Sequence, residues 1–193
     1  MSLDLARRVA VLLALSCAGS GACHAFTVPD LQRLLQSAPT SQVVPYHEVR
    51  ESPWLAAPVE SRGTLHSSRE RLEKRVETPR RETWLILADR MEWVGPNGVG
   101  GKQILFNGAP AVAALAEALR RVIAGDLVGL EQSFRIELRG DERLWTAQLL
   151  PRDPEVARSL DYLELRGAGA LLQVIIVAER QGERTTTRLR PQP

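Results

Sequence analysis

The chain has 193 residues, 44% of them apolar, so it can bury a substantial core as one domain without disulfide staples. Its 25 Lys and Arg face 23 Asp and Glu, a formal net charge of +2. That balance excludes a nucleic-acid binder, whose basic charge should be clustered and in excess.

Residues 1–25 read as a secretory signal peptide. Arg7 and Arg8 form the charged n-region, Val9 to Leu15 the apolar h-region, and Cys23-His24-Ala25 supplies small residues at the cleavage positions. The apolar run is far shorter than the roughly 20 residues of a transmembrane helix, so export is expected, with one mature domain over 26–193. Cleavage near Ala25 removes both cysteines, Cys17 and Cys23, and leaves no thiol for a disulfide, zinc site or nucleophile. The rival is lipid modification of Cys17 or Cys23. Against it, Ala14-Leu15-Ser16 and Ser20-Gly21-Ala22 both lack the usual Leu or Val at the third position back.

Thr27 can cap a helix that opens Val28-Pro29-Asp30, with Leu31, Leu34 and Leu35 on one face. From Val43 the hydrophobic period changes to two. Strands are expected over 43–50, as a long stretch over 55–66, and over 71–76, 82–87, 91–94 and 103–106. Pro45, Pro53 and Pro58 point to an edge or bent strand early on. The basic residues between Arg69 and Arg81 alternate with Glu70, Glu73, Glu77 and Glu82, the pattern of a solvated strand face. The Gly-rich stretch 95–101 lacks GxGxxG spacing and precedes a strand, so it reads as a hairpin connection.

Pro110 starts an Ala-rich helix with Val112, Leu115, Leu119, Val122 and Ile123 on one face, and Asp126 to Leu130 can add a turn. Strands resume over 134–139, 145–149, 160–165, 171–178 and 185–189, the last two as a hairpin. The expected fold is mainly β (α+β): a strongly curved antiparallel sheet or incompletely closed barrel with helices covering its concave face.

No catalytic constellation can be assembled. His47 and His66 lack metal-ligand spacing, no GxSxG elbow accompanies Ser67-Ser68, and the aspartates fall at turns and helix ends. No enzyme activity, cofactor or metal is therefore expected. The apolar excess is the other signal: Trp84, Ile86, Met91, Trp93, Ile104, Phe106, Trp145 and Leu149 are large residues at strand positions. They can fill a core, or they can line a cavity for an acyl chain.

The order of segments resembles the periplasmic outer-membrane lipoprotein carrier family (LolA-like). Gly63-Thr64-Leu65 followed by Arg69, Leu72 and Pro79 resembles its G-x-L…R…L…P strand pair. Trp145 to Pro151 resembles its W-x-L-x-P signature, and Glu179 to Thr185 its late glycine turn. Glu70 replaces the family's usual Pro, and Glu73 and Lys74 replace apolar positions, so the chain reads as a divergent member.

The resemblance implies a periplasmic carrier, acting as a monomer, that takes the acyl chains of a lipid or lipoprotein between inner and outer membrane. It would meet a donor and an acceptor protein transiently. Leu65, Leu72, Leu115 and Leu119 would join the eight strand residues as the cavity wall, and Arg69 would gate the lid through its planar guanidinium. The alternatives are a membrane-anchored receptor resembling LolB, or a periplasmic partner-binding or sensor module.

Overall fold

The computed structural model describes residues 25–39, 41–68, 71–96 and 101–190. A short helix, α1 (Val28–Gln36), comes first and is closed by a capping box between Thr27 and Asp30. The Thr27 amide donates to the Asp30 carboxylate at 2.9 Å, and the Asp30 amide donates back to the Thr27 hydroxyl. Leu31 and Leu35 are its buried face.

Six strands follow: β1 (Gln42–Glu51), β2 (Val59–Ser67), β3 (Leu72–Thr78), β4 (Glu82–Ile86), β5 (Arg90–Val94) and β6 (Gly101–Leu105). A 3-10 turn at Phe106–Gly108 leads into α2 (Pro110–Ile123), and a second one spans Val128–Gln132. The chain then continues through β7 (Phe134–Gly140), β8 (Trp145–Pro151), α3 (Pro154–Ala157), β9 (Leu160–Ala168), β10 (Leu171–Glu179) and β11 (Arg184–Leu189). The one-turn α3, capped by Asp153, is an element the hydrophobic pattern does not predict.

All eleven strands form one antiparallel sheet in the order β6-β5-β4-β3-β2-β1-β11-β10-β9-β8-β7. Its edges, β6 and β7, do not pair with each other, so the sheet is not closed into a barrel. The return of β11 to β1 stitches the two meanders together.

This places β1 in the middle of the sheet, whereas its prolines suggest an edge or a bend. Pro45 is tolerated because it falls where the β11 ladder ends: Tyr46 pairs with Leu189, and beyond it Arg190 donates to the Pro45 carbonyl at 2.9 Å. The missing Pro N–H therefore points where β11 has run out, and the ladder to β2 stays intact. Pro53 and Pro58 lie in the β1–β2 connection.

Directly opposite residues share a face, so the register sorts the side chains. Val44, Leu65, Lys74, Trp84 and Trp93 follow one another across β1 to β5 on one face. Thr187, Ile175, Leu165 and Ala147 continue that face across β11 to β8. Lys74 thus looks inward and Glu73 is buried, which corrects the reading of β3 as a uniformly solvated face.

The core sits against the β7–β10 half of this face. Leu31 and Leu35 of α1, Ala118 and Val122 of α2, Leu127 and Leu130 pack there on Phe134, Trp145, Leu149, Leu163 and Leu165. Gly63 is needed beside β3 because a Cβ there would overlap the Arg75 carbonyl oxygen, at a register shift in the β2–β3 ladder.

Candidate functional site

The other half of the concave face is not filled by helices. It walls a cavity of about 460 Å³ whose opposite wall comes from the end of α1 (Leu35, Ala38) and from Leu115, Leu119, Val122 and Ile123 of α2. Val44, Leu65, Leu72, Trp84, Ile86 and Met91 line it from β1 to β5, and Leu172, Ile175, Val177 and Leu189 from β10 and β11. These seven strands are consecutive neighbours, which in a flat sheet would span roughly 29 Å at about 4.8 Å per strand. One cavity can touch all of them only because the sheet bends around it.

Helix α2 divides core from cavity. Its small Ala118 packs into the core, while Leu115 and Leu119 lie at the boundary and line the cavity. The expected wall residues therefore separate into two groups. Leu65, Leu72, Trp84, Ile86, Met91, Leu115 and Leu119 line the cavity. Trp145 and Leu149 share the sheet face but lie in the core, under the helices.

Trp93 sits one strand beyond Trp84, with ring centroids 6.4 Å apart, and does not line the cavity. Ile104 is on the edge strand β6, and Phe106 opens the 3-10 turn. Arg69 lies outside the described residues.

Both indole N–H groups at this end are tied to one carboxylate: Trp84 Nε1 donates to Glu82 at 3.0 Å and Trp93 Nε1 at 2.9 Å. Their polar edges are thus satisfied by protein, which leaves ring faces for apolar contact.

Sequence reasoning missed the polar part of the site. The Lys74 ammonium meets the Glu48 carboxylate at 2.6 Å, and the Thr187 hydroxyl donates to the same carboxylate at 2.8 Å. Arg50 meets Glu183 at 2.7 Å, and that bond raises the Arg50 pKa above its usual value. Burial, reinforced by the Glu183 charge, lifts the Glu179 carboxyl above the usual range. All of these residues line the cavity. The alternation Val44, Tyr46, Glu48, Arg50 was the available signal, but it gives no apolar periodicity to find.

Beneath Lys74, whose ammonium lies 5.2 Å from the ring centroid, Tyr46 is 3% exposed and its hydroxyl makes no hydrogen bond among the described residues. Burial is the main cause that pushes the phenol up to about 12, with Ser61 pulling the other way and Glu48, Glu82 and Glu77 adding to the rise. The neutral phenol is the form the fold favours. Its contribution is complete below the unfolded value near 10 and is lost as pH rises through about 12.

Tyr46→Phe removes the unsatisfied group. It should stabilise the protein by about 1 kcal/mol, raise the melting temperature by roughly 2–4 °C, and move alkaline unfolding to higher pH. Thermal and pH melts would show this, and a less stable Phe variant would mean that the hydroxyl has a partner.

His47 pairs with Glu60 at 3.0 Å and His66 with Thr64 at 3.1 Å, both on the convex face, away from the cavity. Among the described residues no group of His, Cys, Asp and Glu could hold a metal ion, and no helix is long and apolar enough to cross a membrane.

Residues 20–191 match the family model described as outer membrane lipoprotein carrier protein, LolA-like. The chain belongs to this LolA-like family.

No curated protein matches the sequence. Among solved structures, a LolA superfamily protein, NE2245 from Nitrosomonas europaea, is 15% identical with a TM-score of 0.43, over 86% of this chain and 95% of its own. A DUF1329 family protein from Desulfovibrio piger is 8% identical with a TM-score of 0.48, over 84% of this chain and 90% of its own. A domain from Vibrio parahaemolyticus described as outer membrane lipoprotein-sorting is 9% identical with a TM-score of 0.45, over 85% and 89%. For this LolA-like chain the family match thus rests on sequence along most of its length.

Proposed function

We propose that this LolA-like protein is a periplasmic carrier that holds the acyl chains of a lipid or lipoprotein in its concave cavity and ferries them between inner and outer membrane. Export by the segment 1–25, a monomeric state, and brief contacts with a donor and an acceptor protein belong to the same reading. The observation that carries it is the cavity itself, an unfilled space walled by Leu65, Leu72, Ile86, Met91, Leu115 and Leu119 inside a fold of this family. An acyl chain entering it leaves water at a gain of roughly 0.8 kcal/mol per methylene, which is enough to hold cargo yet reversible for one chain.

In this reading Arg69 is the gate. Its described neighbours support the assignment: Ser68 and Arg71 border a second pocket of about 200 Å³ whose other side is Arg120, Arg121 and Ile123 at the C-terminal end of α2. A planar fork of donors suits the gating role that the family resemblance gives Arg69. Arg69→Leu should change the rate of cargo loading or release and leave the melting temperature unaltered. Transfer kinetics equal to those of the unmodified protein would remove Arg69 from the mechanism.

The direct test is native mass spectrometry of the protein isolated from the periplasm, with lipid extraction of what co-purifies. A bound acylated species on a chain that starts at Phe26 supports the carrier. An empty protein that also refuses a fluorescent acyl probe refutes it.

A further inference from the structure

Turns that face water in this sheet are charged. Pro79-Arg80-Arg81 between β3 and β4, Asp141-Glu142-Arg143-Leu144 between β7 and β8, and Arg180-Gln181-Gly182-Glu183 between β10 and β11 each carry at least two charged residues. The β1–β2 connection, Ser52-Pro53-Trp54-Leu55-Ala56-Ala57-Pro58, carries none. Yet every residue from Pro53 to Val59 is exposed. Trp54 is 78% exposed, the most of any large apolar side chain among the described residues. An indole held in water adds almost nothing to the fold, because it removes almost no apolar surface from solvent.

The loop nevertheless has a fixed shape. Pro53 and Pro58 restrict it at both ends, the Ser52 carbonyl accepts from the Leu55 amide at 3.1 Å, and the Ser52 hydroxyl accepts from the Trp54 amide at 3.4 Å. Pro53 also rests against the β10–β11 turn, where a Cβ on Gly182 would lie 3.1 Å from its Cγ. A loop already ordered with its indole outward loses little entropy on binding.

Its position ties it to the cavity. Arg50 and Glu183, which meet at 2.7 Å, flank the loop and the turn, and with Glu179 they form the charged end of the cavity. Around the tip, Arg50, Arg180 and Arg184 balance Glu51, Glu179 and Glu183. Arg180 is further paired with Asp161 at 3.3 Å. This rim offers no net charge to steer a protein partner or to attract anionic lipid. Apolar side chains at the tip with balanced charge behind them match the layering of a zwitterionic bilayer surface, where tryptophan prefers the boundary between headgroups and acyl chains.

We propose that the β1–β2 loop is a membrane-docking tip. Trp54 and Leu55 enter the interfacial layer of a zwitterionic bilayer and set the charged end of the cavity among its headgroups. This goes beyond the carrier reading and does not depend on what the cavity holds.

The test is flotation of the protein isolated from the periplasm with phosphatidylcholine vesicles, together with quenching of tryptophan fluorescence by brominated phosphatidylcholine. The protein should float with the vesicles, and raising the salt several-fold should leave binding unchanged. Trp54→Ala should bind about tenfold more weakly or worse and lose the quenching, since binding scales with the apolar area inserted. Its melting temperature and its uptake of a fluorescent acyl probe should equal those of the unmodified protein, because Trp54 neither packs in the core nor lines the cavity.

A protein that stays off the vesicles, or a Trp54→Ala variant that binds them as tightly, overturns the docking tip. Binding abolished by salt overturns the apolar mode of contact. A photo-crosslinking residue at position 54 that captures protein and no lipid in the cell assigns the loop to a protein partner and overturns the bilayer. None of these outcomes touches acyl-probe uptake, by which the carrier reading stands or falls separately.

Discussion

Replacing Leu119 with Glu is expected to reduce uptake of a fluorescent acyl probe at least about 100-fold while the sheet remains folded. Leu119 lines the cavity from the helix side, facing strands that contribute Leu65, Leu72 and Ile86. A carboxylate there must either stay hydrated, which fills the space an acyl tail would take, or be desolvated against the tail at a cost of several kcal/mol. Four methylenes displaced from the wall already amount to about 3 kcal/mol, which is the 100-fold.

The residue also borders the core, so Leu119→Ala is the companion variant. It should weaken binding about tenfold at most, and circular dichroism separates loss of fold from loss of uptake. A folded Leu119→Glu protein that still takes the probe would show that α2 is not a wall of the binding site.

Trp145→Ala should do the opposite: destabilise severely and touch binding only through the fold. Trp145 is 1% exposed at the centre of the core, its Nε1 donates to the Gly169 carbonyl at 2.9 Å, and Gly167 lacks a Cβ where the indole lies. Truncation leaves a cavity and an unpaired carbonyl, a loss of about 3–5 kcal/mol. For a domain of this size that is a drop of roughly 6–20 °C in melting temperature.

Trp84→Ala provides the contrast, since Trp84 stands on the same sheet face but lines the open cavity. It should cost the fold about 1 kcal/mol and the probe affinity several-fold. Equal melting temperatures for the two variants would contradict the division of the concave face into core and cavity.

How far the sequence revealed this arrangement depends on which physical rule governs each element. Strands with clean alternation, such as Phe134, Ile136 and Leu138 of β7, were legible to within a residue or two. So was the Ala-rich helix, from Pro110 and its apolar stripe. The position of β1 was not, because whether a proline interrupts a ladder depends on where the neighbouring strand stops, and that neighbour, β11, is remote in the chain.

The site was half legible for a related reason. Large apolar residues announce that a face is inward, which is true of Trp84 and of Trp145 alike. Only the placement of the helices decides which of the two is covered, and that is a tertiary fact. The charged end escaped because an inward Glu48, Lys74 or Glu179 looks in sequence like any exposed strand charge. The resemblance in motif order carried what periodicity could not, and the family match over residues 20–191 agrees with it.

The helices cover one half of the sheet only, and this asymmetry has a consequence for how the molecule breathes. Amides of β8 and β9, pinned beneath Leu31, Ala118 and Leu130, should exchange with solvent deuterium only through global opening. Those of β4 to β6, which carry no helix packed in the core above them and end in a free edge, should exchange through cheaper local opening. A ligand that fills the cavity binds the closed form alone, so its presence should slow exchange in the second set and scarcely alter the first. The protein would then hold its cargo with the softer half of its sheet while the stiffer half keeps the fold.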